Sequence, residues 1–291
     1  MRRNKCRVCG EDVIEVREGY TDHMTTLGGT FTYGVCGNCA SLSILDVPAD
    51  LKERYSNGYY SYAWDVKKEV TDSKKRTAAH LIKEFGLKED SSVLDWGGGS
   101  LELCCAFFAN GVGEDGKLHK LRCYDPFAEA QDHNGVKLQN TPPSDLHFDL
   151  IVSSHSIEHT ESYRDTLQTM AACLAPGGKI YLVHPFCDSL VHIIYKEHAV
   201  SADAPRHLFI PTTNGCEFAI KDLGLKHSEF SDAADIFGLV MSNFYLQGMD
   251  YHKAQKEWQK DAGPINGKTA VVAEWIASIG MSDTRAYVVT K

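Results

Sequence analysis

No apolar run in the 291 residues approaches the roughly twenty needed to cross a bilayer, so a membrane-spanning protein is not expected. The opening residues, Met1 to Cys6, lack the apolar stretch of a secretory signal. Ten cysteines in such a sequence point to free thiols or metal ligands in a reducing compartment, and a cytoplasmic protein is the expectation. Positive charge is also short. The formal net charge is −9, and no Lys/Arg cluster interleaved with aromatics occurs beyond the cysteine-bearing amino-terminal segment. A large nucleic-acid footprint needs a basic surface to release counterions from phosphate, so none is expected. The glycine turn at 97–99 lacks the third glycine of a dinucleotide fingerprint, where Glu102 stands, and no Gly-Lys-Ser/Thr follows it. Both absences argue against NAD, FAD or a phosphate cradle for ATP.

What is present centres on Ser92-Val93-Leu94-Asp95-Trp96-Gly97-Gly98-Gly99-Ser100-Leu101-Glu102. A short apolar run ends in a carboxylate, three glycines follow, and 101–108 has helical character: a strand, a tight turn and a helix start. That junction is where open α/β sheets bind nucleotide-like ligands. A bare glycine backbone lets a ligand approach closely, and the helix N-terminus presents unpaired N–H groups. An acid at the strand end favours a ligand with a cationic amino-acid end over a pyrophosphate.

Ahead of this stretch, Cys6-x-x-Cys9 and Cys36-x-x-Cys39 form two knuckles around a Thr/Tyr/Gly-rich segment suited to short strands, such as 29–35. Four thiolates so spaced make a closed tetrahedral site of the structural-zinc type; a redox dithiol is the alternative. So small a module, assigned to 1–47, has little core, and metal would supply much of its folding energy. Residues 48–74 form a linker rich in aromatics (Tyr55, Tyr59, Tyr60, Tyr62, Trp64), which either closes over a ligand or packs the ribbon onto the main domain. An amphipathic helix over about 66–85 stops at Gly86.

The remainder, 75–291, alternates strands and helices. Lys120 to Tyr124 is a strand ending at Asp125-Pro126, where an acid can accept from ribose hydroxyls, unless it serves only an Asp-Pro turn. A short third strand is expected at 135–140. Phe148 to Ser154 is a buried strand leading into His155-Ser156-Ile157-Glu158-His159. A helix at 163–174, the turn Ala175-Pro176-Gly177-Gly178 and a strand at 179–185 follow. Such alternation implies a mainly parallel, doubly wound sheet. Strands at 226–230 and 285–290 are separated by 232–284, an insertion with apolar helical patterning at 236–246 and 270–279. It would cap the substrate side or form an oligomer interface.

Together these four motifs, over about 75–230, resemble class I methyltransferases dependent on S-adenosylmethionine (SAM). Asp95, Gly97 and Gly99 match the family's acid-x-Gly-x-Gly-x-Gly motif, with Leu101 in place of the third glycine. The resemblance implies a seven-stranded Rossmann-like α/β sheet. It also implies a SAM site at Asp95, Gly97, Gly98, Gly99, Asp125, Pro126, Ser154 and His155. Methyl transfer is an in-line displacement, and for a hydroxyl acceptor a proton must be removed. His155, Glu158, His159 and His207 are the catalytic candidates, with His155 the preferred base; His184, His192 and His198 also fall at or after strand ends. His155-x-x-Glu158-His159 resembles, in part, the acid-acid-His segment by which some quinone-pathway methyltransferases bind Mg2+. Base, cation ligand and loop-orienting pair all remain open for this segment.

A four-cysteine ribbon, with Cys6, Cys9, Cys36 and Cys39 as zinc ligands, joined to this domain resembles the sugar methyltransferases of deoxysugar pathways. O-methylation of a small molecule or glycan precursor, including a nucleotide sugar, is the expected reaction. The alternatives are an rRNA or tRNA methyltransferase and a SAM-binding protein without catalysis. The first is opposed by the acidic balance and by the lack of the Asn/Asp-Pro-Pro-Tyr/Phe motif of base-methylating enzymes.

Overall fold

The computed structural model describes residues 4–25, 27–56, 68–113, 120–133, 136–232 and 235–291. The amino-terminal part is an antiparallel sheet of β1 (Val13–Thr21), β2 (Thr30–Cys36) and β3 (Leu42–Ile44), with the two cysteine pairs at one end. A short helix, α1 (Glu53–Ser56), begins the linker, and the aromatic run Tyr59 to Trp64 lies outside the described residues. Helix α2 (Asp72–Phe85) follows. Thr71 caps it by accepting from the Lys74 N–H, and Gly86, at φ 63°, closes it as expected from a residue without Cβ.

The main sheet starts with β4 (Val93–Trp96), then α3 (Glu102–Ala109) and β5 (Leu121–Tyr124). Next come a hairpin of β6 (Gln131–His133) and β7 (Val136–Gln139), and then β8 (Phe148–Ser154), α4 (Tyr163–Ala172) and β9 (Leu174–Pro185). The segment 186–212 winds through α5 (Leu190–Tyr195) and single turns to β10 (Phe209–Ile210), before α6 (Thr213–Asp222) and β11 (Lys226–Asp232). Three helices, α7 (Ile236–Leu246), α8 (Tyr251–Lys260) and α9 (Ala262–Ser278), precede the last strand, β12 (Thr284–Thr290).

The strand order is β11-β12-β9-β8-β4-β5-β7-β6, parallel from β9 through β7 and antiparallel at both ends. The seven expected strands are all present, and β6 adds a short eighth at the edge. Strand β9 starts earlier than the Pro-Gly-Gly turn suggests, because its pairing with β8 shifts register from Phe148↔Leu174 to Leu150↔Lys179. Alternation along the strands fills two cores, as a pleat of period two requires. Leu94, Trp96, Ile151, Ile180 and Leu182 face one side, while Val93, Leu121, Leu150 and Val152 face α2 and α3 on the other.

The first core does not stop at the main sheet. Tyr20, Tyr33, Leu42 and Ile44 of the ribbon belong to the same buried cluster as Phe186, Phe209 and Ile210. Moreover, β10 pairs with β3, so two residues from the second half of the chain complete the ribbon sheet. Among the described residues no helix is long and apolar enough to cross a membrane.

Candidate functional site

The carboxyl end of β4 carries the first half of the site. Gly97 has φ 72°, and a Cβ there would lie 2.4 Å from the Ser156 Cβ. A Cβ on Gly98 would meet the Asp95 carboxylate at 2.4 Å. The turn is therefore closed from both sides, and only glycine fits it. Gly99, at φ 60°, donates its N–H to Asp125 Oδ2 at 2.9 Å. The other oxygen, Oδ1, accepts from the N–H groups of Phe127 and Ala128 at 2.9 and 3.1 Å. Asp125 thus ties β5 to the glycine turn, and it lines the cavity beside that turn.

Part of this turn, with Asp125, forms one wall of a cavity of about 290 Å³. Gly97, Asp125, Pro126 and His155 line it, as do Trp96, Tyr124, Phe127 and Tyr55. The rings are mutually braced: Trp96 and Tyr124 meet edge-on at 4.6 Å, and Tyr55 stacks on Phe127 at 5.1 Å. They offer flat apolar surface beside a polar rim, the composition of a nucleoside pocket. Pro142, from the loop between β7 and β8, lines it too. Asp95 does not line the cavity. It lies beneath the turn, buried, with its carboxyl pushed up to about 7 by desolvation and by the nearby Asp125. Gly98 and Gly99 shape the turn without forming the wall. Ser154 stands exposed at the end of β8, and Ser156, two residues on, occupies the wall instead. The Ser156 hydroxyl donates to the Trp96 carbonyl at 2.6 Å.

His155 follows β8 in a left-handed conformation, φ 51°. Its side chain is about half exposed, 47%, and borders both this cavity and a second one of about 620 Å³. His159 is likewise shared by the two, whereas His207, Asp203, Asp235 and Asp283 line only the second. Glu158 lies behind them, fully buried. Its Oε1 is 3.6 Å from His155 Nδ1 and 3.7 Å from His207 Nε2.

The electrostatics follow from this packing. Burial alone would raise the Glu158 pKa, but His155, His207 and His159 outweigh it and bring it to about 2. Burial would lower the His155 pKa, but the Glu158 carboxylate holds it above its ordinary value. His159 falls to about 4 through burial and the neighbouring His207. Asp283 is pushed up to about 7 by burial and by Asp235.

The other histidines lie elsewhere. His184 is fully buried, with Nδ1 donating to the Pro185 carbonyl at 3.1 Å and its ring stacked on Phe186. It shares a strand face with Ile180 and Leu182, and that face is core. His192 is buried against Ser201 at 3.2 Å, and neither His192 nor His198 lines either cavity.

The cysteines converge. Cys6, Cys9, Cys36 and Cys39 are buried with their sulfurs within 4.8 Å of one another. The second cysteine of each pair precedes a left-handed residue, Gly10 (φ 83°) and Ala40 (φ 59°). Gly10 donates its N–H to the Cys6 carbonyl and Ala40 its N–H to the Cys36 carbonyl, at 2.9 and 3.0 Å. Backbone N–H groups of Val8 and Asn38 reach the Cys6 and Cys36 sulfurs at 3.4 Å. Two such knuckles facing each other have the four sulfur donors of a tetrahedral thiolate site and the backbone N–H groups that steady them.

A family model described as a methyltransferase domain matches residues 71–225, somewhat over half of the chain. No curated protein sequence matches. Among solved structures, the complex of the Haloferax volcanii Trm112 methyltransferase activator with its methyltransferase contains a chain 17% identical. The match covers 84% of this chain and 99% of that one, with a TM-score of 0.50. A methyltransferase from an antibiotic biosynthesis pathway of Anabaena variabilis is 16% identical over 76% of this chain and 98% of its own, TM-score 0.46. A SAM-dependent methyltransferase from Geobacter sulfurreducens, in complex with S-adenosyl-L-homocysteine, is 13% identical over 84% and 98%, TM-score 0.38. With a methyltransferase-domain model spanning more than half its length and the expected mainly parallel sheet, the chain belongs to the methyltransferase-domain family and is a methyltransferase.

Proposed function

We propose that the protein transfers a methyl group from SAM to a hydroxyl of a small molecule or glycan precursor held in the second cavity. The observation that carries this reading is that two cavities, one walled by Trp96, Tyr124, Asp125 and Phe127 and the other by Asp203, His207, Asp235 and Asp283, share the half-exposed His155, with His159 beside it. SAM supplies a sulfonium-activated methyl group. The first cavity suits it: Asp125 would take the ribose hydroxyls, the rings of Tyr124 and Phe127 the adenine, and the Gly97 backbone the close approach. Asp95 then acts by holding the turn, not by touching ligand. His155 accepts the acceptor proton as the oxygen attacks, and Glu158, 3.6 Å from Nδ1, orients and stabilises the imidazolium. We assign the division into a zinc ribbon (1–47), a linker (48–74) and a methyltransferase domain (75–291) to the same reading, with Zn2+ on Cys6, Cys9, Cys36 and Cys39. The insertion supplies Asp235, Phe237 and Tyr251 to the second cavity, so it would set acceptor choice.

Radiolabelled methyl transfer across a panel of nucleotide sugars, polyols, amines and RNA tests this. Label on a hydroxyl oxygen, with turnover at saturating SAM reduced about 100-fold or more in His155→Ala, is expected. Label found only on amines or RNA, or turnover undiminished in the variant, would overturn it.

A further inference from the structure

The Glu158 carboxylate is fully buried, yet neither of its oxygens has a hydrogen-bond partner among the described residues. A buried anion left without donors is costly unless something else neutralises it. What surrounds it is unusual in kind. One donor atom each from Glu158, His159 and His207 lies within 4.8 Å of the others. The two histidines come from segments almost fifty residues apart, and their rings meet edge-on at 4.7 Å.

Their tautomers are fixed by what Nδ1 touches. His207 Nδ1 is 2.7 Å from the Ser201 carbonyl and His159 Nδ1 is 3.0 Å from the Arg206 carbonyl. A carbonyl can only accept, so both protons sit on Nδ1 in the neutral rings and both Nε2 atoms carry a lone pair. Histidines that bind a metal through one nitrogen almost always donate the other N–H in this way. Tyr55 braces one of them, its hydroxyl lying 2.9 Å from His159 Nδ1.

We propose that Glu158, His159 and His207 form a divalent metal centre, a two-histidine, one-carboxylate site at the junction of the two cavities. Two imidazoles with one carboxylate suit zinc or a first-row transition ion better than Mg2+. The ligand set also differs from the sequence segment at 155–159: His207 replaces His155, which stays in contact with Glu158 at 3.6 Å. Because His159 and His207 line the second cavity, coordination positions left by three protein ligands would open toward the acceptor, the arrangement of a catalytic and not a structural site. The ligand class for those positions is an acceptor oxygen, whose pKa the ion would lower. The site stands whichever acceptor is used, so its test is one of binding.

Full-length protein with its cysteine site filled by zinc is titrated with Co2+ and followed by equilibrium dialysis and visible absorption. One further equivalent is expected, showing ligand-field bands without sulfur-to-cobalt charge transfer. Glu158→Gln and His207→Ala should bind that equivalent about 100-fold more weakly while retaining zinc and their thermal transition. Pulsed EPR of the wild-type protein loaded with Cu2+ counts ligands without any variant, and two imidazoles are expected. Absence of a second equivalent, equal affinity in folded variants, or fewer than two imidazoles would overturn the proposal.

Discussion

The Tyr33 hydroxyl, on strand β2 of the ribbon, donates a 2.6 Å hydrogen bond to the main-chain carbonyl of His207, whose ring lines the second cavity. The link continues on both sides. Ile44 N–H reaches the Leu208 carbonyl at 2.9 Å, and Leu208 N–H reaches the Glu158 carbonyl at 2.8 Å. Three short bonds thus run from the ribbon sheet to the loop that carries the candidate catalytic residues.

Tyr33→Phe removes one buried donor and leaves its carbonyl partner unpaired, a loss of about 1–3 kcal/mol. Because Tyr33 touches neither wall of the first cavity, turnover should fall while SAM affinity stays near wild type. Urea unfolding and steady-state kinetics check both halves.

Chelation of the ion proposed to sit on the four cysteines should act at the same place. Without a cation the crowded thiols cannot all ionise: a hydrogen bond from Cys39 lowers the Cys6 pKa, while burial raises that of Cys9. Zinc binding therefore releases protons, and its removal should lower the melting temperature of the whole protein, since ribbon and main sheet share one core. Calorimetry in two buffers of different ionisation enthalpy measures the protons, and scanning calorimetry the shared transition.

Gly97→Ala and Gly86→Ala separate close approach from backbone strain. Both positions have positive φ, which costs a Cβ-bearing residue about 1–2 kcal/mol. At Gly86 nothing lies within 4 Å, whereas at Gly97 the Ser156 Cβ would be 2.4 Å away. The expected outcome is a comparable backbone penalty at both positions, with a further packing loss and a loss of SAM affinity on the order of tenfold or more at Gly97 alone. Titration calorimetry distinguishes them.

Asp95 makes the ligand-free protein sensitive to pH. Its folded pKa is raised to about 7 from an ordinary 3.8, mainly by burial. Below pH 4 the carboxyl is protonated in both states and contributes nothing. Between about 4 and 7 the unfolded chain ionises while the folded one keeps its proton, so stability falls as pH rises. The full cost, on the order of 4 kcal/mol, is present above 7. Asp95→Asn should therefore match wild type near pH 4 and be more stable at pH 8, as measured by denaturant unfolding at both.

The main sheet was legible because its central strands are unbroken apolar runs between turns, and Asp95-x-Gly97-x-Gly99 marked the ligand end. What stayed hidden is long-range. Strand β10 is only two residues, too short for any period, yet it joins the ribbon sheet. The second cavity draws Asp203, Asp235, Tyr251 and Asp283 from separate segments that no local pattern connects. Asn134-Gly135, the pair between β6 and β7, is a turn signal that would have revealed the edge hairpin. Strand parity would likewise have placed His184 with Ile180 and Leu182 in the core instead of at the site.

The central claim is that the cavity beside Gly97 and Asp125 binds SAM. Titration calorimetry with S-adenosylhomocysteine, on wild type and on an Asp125→Ala variant shown by circular dichroism to be folded, tests it most directly. Micromolar binding that weakens about 100-fold in the variant, near 3 kcal/mol, is the expected result. No binding by the folded, zinc-loaded wild type, or equal binding by both proteins, would contradict the account.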